Sequence, residues 1–232
     1  MSSNPKAARR TTMTLAGLIA IASATLVLAI SGTHEGHADE GHSHAVAVSS
    51  SKTARQAKFQ DAMRKLWEDH VTWTRLAIVS LAHDLPDLPA TQARLLKNQE
   101  DIGNAIKPYY GKAAGNQLTS LLKQHIVGAV ALLAAAKAGD QALIKQRSDE
   151  WYVNGNEIAD FLHEANPRNW SRKAMRTAMK AHLDQTLDEA VHRLGGNYEA
   201  DVRDYDRIHD HVLMMADTLS KGIIKQFPRK FR

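Results

Sequence analysis

The chain has 232 residues, a formal charge of +5, and a composition that is 44% hydrophobic but only 6% aromatic. That length suits one domain with appendages, and leucine and alanine must supply most of its core. The absence of cysteine excludes disulfides, thiolate metal sites, iron–sulfur clusters, a cysteine nucleophile, covalent c-type haem and a lipidated N-terminal cysteine.

Residues 1–31 read as a signal peptide or an N-terminal membrane anchor. Lys6, Arg9 and Arg10 precede the apolar run Met13 to Ile30, and Ala29-Ile30-Ser31 offers a small-x-small cleavage site. The run is about 18 residues, between a long signal core and a short span. Either way the basic flank stays inside. The expectation is an exported protein, periplasmic or held on the outer face of the inner membrane.

Residues 32–51 read as a disordered, histidine-rich linker. His34, His37, His42 and His44 alternate with Glu35, Asp39 and Glu40. Imidazole binds copper, nickel or zinc, so a chain of this composition either captures such an ion or is a solvated spacer. The three acids cancel the three N-terminal bases, so residues 52–232 again carry +5. Charges there are interspersed along helical patterns, which does not indicate a nucleic-acid interface.

Residues 52–228 are helical in pattern throughout. The first helix runs from about Ala54 to His83 and stops before Pro86. Asp87 and Pro89 open a second, shorter one that ends near Ile106, ahead of Pro108. A third spans about Lys112 to Ala138 and closes at Gly139. Asp140 caps a fourth, which ends at Asn166-Pro167. Ser171 caps a fifth, which stops at Gly195-Gly196, and Asn197 caps a sixth that reaches Phe227-Pro228. The fold expected is all-α: an antiparallel up-and-down bundle of four to five long helices, each roughly 38 Å in length, plus one short helix. The basic tail, residues 229–232, either frays or lies on an anionic membrane surface.

Polar residues interrupt the apolar stripes near the middle of these helices. His70 sits among Met63, Trp67, Val71 and Ile78; His125 among Leu118, Leu122 and Leu132; Asn154 among Trp151, Ile158 and Phe161. The fifth helix has an apolar stripe, Met179, Leu183, Leu187, Val191 and Leu194, beside a polar-and-thioether edge of Met175, Met179, His182, Thr186 and Glu189. In the last helix Val202, Tyr205, Ile208, Val212, Met215, Leu219 and Ile223 face inward, flanked by Met214 and Asp217.

If those midpoints are level, His70, His125, His182 and Asn154, with Asp217 or Glu189 as a carboxylate, suit copper, zinc or iron. Nearby Met179, Met214 and Met215 favour copper(I). The alternative is a satisfied polar layer that fixes register. A di-iron site would need two Glu-x-x-His pairs, and Glu189-Ala190-Val191-His192 is the single one. There is no Gly-x-Ser-x-Gly elbow, phosphate-cradling glycine loop or His-Glu-x-x-His.

Leu66 to Arg75, Trp151 to Asn154, and Met214-Met215-Ala216-Asp217 through Ile223 to Pro228 resemble a family of small exported bacterial helical-bundle proteins with no assigned activity. The likeness covers most of residues 60–228. It implies an exported all-helical domain and nothing about chemistry; the tract at 34–44 lies outside it. Three functions remain open: an extracytoplasmic metal-binding bundle, a non-catalytic envelope module that binds a partner or small ligand, and a metal-dependent redox or hydrolytic enzyme.

Overall fold

Side-chain caps set the starts of four of the five helices among the described residues. The structure, a computed structural model, describes residues 53–232; the signal or anchor, the linker and its four histidines, His34, His37, His42 and His44, lie outside the described residues. Thr53 and Gln56 form a capping box on α1 (Ala54–Ala82). The side chains of Asp140, Ser171 and Asn197 each accept a backbone N–H at the start of α3 (Gln141–Ala165), α4 (Arg172–Leu194) and α5 (Tyr198–Gln226). Each satisfies an otherwise orphaned donor. No strand occurs among the described residues, and the fold is an all-α bundle.

Between α1 and α3 lies α2 (Leu88–Ala138), broken at Gly111, whose φ of 86° and ψ of 168° are open essentially to glycine alone. The chain reverses there. Gly103 and Gly115 let the arm 88–110 return along the arm 112–138 at backbone contact: a β-carbon on Gly103 would stand 2.6 Å from the Gly115 carbonyl oxygen. Further along, Lys123 pairs with Glu100 at 2.6 Å.

The expected stop before Pro108 is corrected, because the first arm continues to Tyr110. Proline removes one hydrogen bond, and aromatic packing holds the remaining turn. Tyr109 stacks on Phe231 at 5.4 Å and meets Phe59 edge-on at 5.1 Å, while Tyr110 meets Phe227 edge-on at 5.3 Å. Lys230 donates to the Pro108 carbonyl. The same cluster corrects the reading of the tail. Residues Pro228–Phe231 form a 3-10 turn, Phe231 is only 3% exposed, and Thr53 donates to its carbonyl at 2.7 Å.

The helices close into a ring, α1 against α2 and α5, α2 against α3, α3 against α4, and α4 against α5. Neighbours are antiparallel. Arg64 pairs with Asp217, and Glu68 with His209, across α1 and α5; Asp160 pairs with Arg176 across α3 and α4. It follows that α1, the second arm of α2 and α4 all run the same way. Their midpoints therefore lie at one height in a core built from Met63, Trp67, Leu122, Trp151, Ile158, Leu183, Ile208 and Val212. By length and composition α2 is also the one helix among the described residues apolar enough to cross a membrane; in the bundle it packs against α1 and α3.

Two positions expected to face inward do not: Val191 and Val202 are 40% and 52% exposed. On α4 the polar-and-thioether edge joins Leu183 in facing the core, while Val191 at the far end of the apolar stripe turns outward: Met175, Met179, His182, Thr186 and Glu189 are all buried. That face meets imidazoles and an arginine from α1 and α2, and Glu189 gains Arg75 as its partner there.

Candidate metal centre

Three imidazoles from three like-directed helices meet in one layer. The His182 ring centroid lies 5.9 Å from that of His70 and 6.1 Å from that of His125. All three residues are buried, at 2%, 3% and 5% exposure for His70, His125 and His182. Trp151 stacks on His125 at 5.0 Å and donates its Nε1–H to the His125 carbonyl. Trp67 stands edge-on to His70 at 5.6 Å. Two walls of the layer are therefore aromatic.

The hydrogen bonds fix which ring nitrogens are free. Gln99 donates to the Leu95 carbonyl, which orients its amide, and the same Nε2 lies 3.2 Å from His70 Nδ1. An amide nitrogen is a donor only. His70 Nδ1 therefore accepts, and the ring proton sits on Nε2. Asn154 is oriented in the same way by its bond to the Leu121 carbonyl. Its Oδ1 accepts from His125 Nδ1 at 2.9 Å, leaving a lone pair on His125 Nε2. That nitrogen is buried without a partner, as is His182 Nδ1. Trp67 Nε1 and Gln99 Oε1, in the same layer, are also unpartnered. Such atoms cost about 1–3 kcal/mol each unless something meets them.

Three histidines elsewhere in the bundle are each finished by one neighbour. His163 donates to the Trp170 carbonyl, His211 to the Ala178 carbonyl, and His192 meets Asp204 at 2.5 Å.

Burial keeps the central rings neutral. It lowers His70 and His125 from 6.5 to about 4, against partial opposition from bonds to Asn98 and Gln99 in the first and Asn154 in the second. His182 falls well below 6.5 through burial and the nearby His70, His125 and His211. Neutral imidazole is the form that ligates metal.

Of the residues singled out in the sequence, His70, His125, His182 and Asn154 come together. Asp217 does not: its carboxylate pairs with Arg64 at 3.0 Å and Lys221 at 3.9 Å on the surface, because inward groups on α5 at the imidazole level are apolar. Met215 is core, and Met214 is exposed. Glu68 pairs with His209, and Asp69 with Lys65 and Arg94. Among the described residues no three His, Cys, Asp or Glu side chains are arranged to hold one metal ion. The layer thus offers two free imidazole nitrogens, not a closed triad.

Toward one end of the bundle lies a buried charge network that periodicity did not reveal. Arg75 is held by Glu189 at 2.9 Å and by both oxygens of Asp201, with Arg193 also on Asp201 at 3.2 Å. Burial pushes the Asp201 carboxyl up, but the two arginines outweigh it and hold it below its ordinary value. Burial raises Glu189 to about 7 despite Arg75. The signal available was Glu189, two turns from His182 on one face of α4; its partners come from other helices.

Beside the layer, a groove of about 510 Å³ runs between the second arm of α2 and α3, with Lys123, Val127, Gly128, Arg147, Trp151 and Asn154 among its walls. No family model, curated protein or solved structure matches the chain.

Proposed function

We propose that this is an exported helical-bundle protein, kin to other exported bacterial bundles, that binds a transition metal ion such as copper, zinc or iron in its core. The histidine tract at 34–44 captures the ion and the imidazole layer holds it. The observation that carries the reading is the pair of unpartnered nitrogens, His125 Nε2 and His182 Nδ1, on neighbouring buried rings. Desolvation keeps those rings neutral, and neutral imidazoles in a bundle core are suitable ligands. This is binding chemistry rather than catalysis, since the free groups are donors to an ion and not a nucleophile with its base.

A second reading, a module that binds a small ligand, is favoured by the groove against Trp151 and Asn154. Elemental analysis of protein purified without an affinity tag, with and without residues 32–51, separates the two. Stoichiometric metal retained by the protein lacking 32–51 supports the core site. Metal lost with the tract, or absent from both forms, overturns it.

A further inference from the structure

We propose that the ion held between His125 and His182 is monovalent copper in two-coordinate geometry. The inference rests on the metal-binding reading above and narrows it to one oxidation state and one donor pair.

The donor count comes first. His70 stands in the same layer, yet its Nδ1 lone pair is used by Gln99 and its other nitrogen carries the proton. The buried ring nitrogens without a partner are then His125 Nε2, which holds a lone pair because Nδ1 donates to Asn154, and His182 Nδ1, on a ring where no hydrogen bond fixes the proton to that atom. Zinc takes four ligands in its structural sites and three plus water in its catalytic ones. Monovalent copper accepts two nitrogens in line. The spacing agrees: a metal–nitrogen bond of about 2 Å on each side, added to the ring radii, sets collinear imidazoles roughly 6 Å apart between centroids. The observed separation is 6.1 Å, and that of His70 from His182 is 5.9 Å, so spacing permits the pair and the unpartnered nitrogens select it.

Charge gives an independent argument. The work of taking an ion out of water rises with the square of its charge, so a divalent ion costs about four times as much as a monovalent one of equal size. A divalent ion in this layer would need a carboxylate beside it. The buried carboxylates Glu189 and Asp201 are tied to Arg75, and Asp217 is tied to Arg64. Two neutral imidazoles beside Trp151 suit a single positive charge on a soft ion.

The test uses the full-length chain carrying His34→Ala, His37→Ala, His42→Ala and His44→Ala, so that the tract contributes nothing. Copper(I) under reductant, silver(I) as its redox-inert analogue, and zinc(II) are each titrated against a competing chelator. One equivalent of copper(I) and of silver(I) is expected, with zinc(II) bound at least about a hundredfold more weakly. X-ray absorption of the copper-loaded protein should give two nitrogen neighbours. His125→Phe and His182→Leu should each abolish binding, whereas His70→Gln should retain it. Zinc(II) bound as tightly as silver(I), three or more ligands at copper, or loss of binding in His70→Gln with its helicity intact would overturn this assignment while leaving a core metal site standing. Failure of all three ions to bind overturns both. The absorption measurement needs no variant, so a misfolded substitution does not remove the test.

Discussion

His125 Nδ1 lies 2.9 Å from Asn154 Oδ1, and that bond decides which nitrogen of the imidazole is left free. Asn154, on α3, is itself oriented by the Leu121 carbonyl, so the ring tautomer is set by a neighbouring helix anchored one turn before His125 on α2. Asn154→Ala removes the acceptor and leaves a buried N–H unmet, at a cost of about 1–3 kcal/mol in stability. Groups that orient a ligand in this way typically change metal affinity by about 10–100-fold. Chelator competition on Asn154→Ala should therefore show weaker copper(I) binding that is not abolished. Unchanged affinity in a folded variant would mean that Asn154 does not select the free nitrogen.

The same desolvation makes the metal-free bundle acid-sensitive. His70 and His125 sit near 4 in the fold against an ordinary 6.5, so between those values the unfolded chain binds more protons. Stability from these rings is complete above pH 6.5 and is lost as the pH falls through 4, on the order of 3 kcal/mol for each. His182 acts in the same direction. Glu189 acts oppositely: raised to about 7 from 4.5, it favours the fold most at low pH and loses that contribution as the pH rises through 7. Three imidazoles outweigh one carboxyl, so the urea midpoint should drop from pH 7 to pH 5. A midpoint that stays level or rises would contradict the neutral, desolvated state of the layer.

Arg75 separates two carboxylates of unlike worth. Asp201 is fully buried, receives both Arg75 and Arg193, and is held below its ordinary pKa. Asp201→Asn leaves two arginines facing a neutral amide, and breaking a buried pair this way costs about 3–5 kcal/mol. Glu189 is close to half protonated at neutral pH, and glutamine keeps an oxygen for the Arg75 bond. Glu189→Gln should therefore cost less than about 1 kcal/mol. Denaturant titration of the two variants at pH 7 ranks them, and equal losses would refute the ordering.

What the sequence made legible was local. Asp140, Ser171 and Asn197 cap helices because each is a short polar side chain ahead of an apolar period, and all three bonds form. The 3.6-residue period also placed His70, His125 and Asn154 on inward stripes. The orientation of α4 was only partly legible: Leu183 reaches the core, but Val191 on the same stripe is exposed while His182, Thr186 and Glu189 beside it are buried. Arg75 and Asp201 stand 126 residues apart, and no spacing rule connects them. The tail was misread for the same reason: Phe231 is buried by Phe59 and Tyr109, which come from opposite ends of a long stretch of chain.

The turnback within α2 depends on two glycines more than on any side-chain contact. A β-carbon at Gly103 would meet Thr119 Oγ1 at 1.9 Å and the Gly115 carbonyl oxygen at 2.6 Å. The hydroxyl can rotate away, but the carbonyl belongs to the facing backbone and cannot move unless the arms separate. Alanine normally gains up to about 1 kcal/mol over glycine inside a helix, whereas overpacking costs about 1–3 kcal/mol. The contact is backbone against backbone, so the overpacking cost should dominate and Gly103→Ala should lower the thermal midpoint. Separation of the arms also disturbs the second arm, which carries His125 to the layer. The variant should therefore lose copper(I) affinity as well as stability. A Gly103→Ala protein with a raised midpoint would show that the arms are not in contact at this pair.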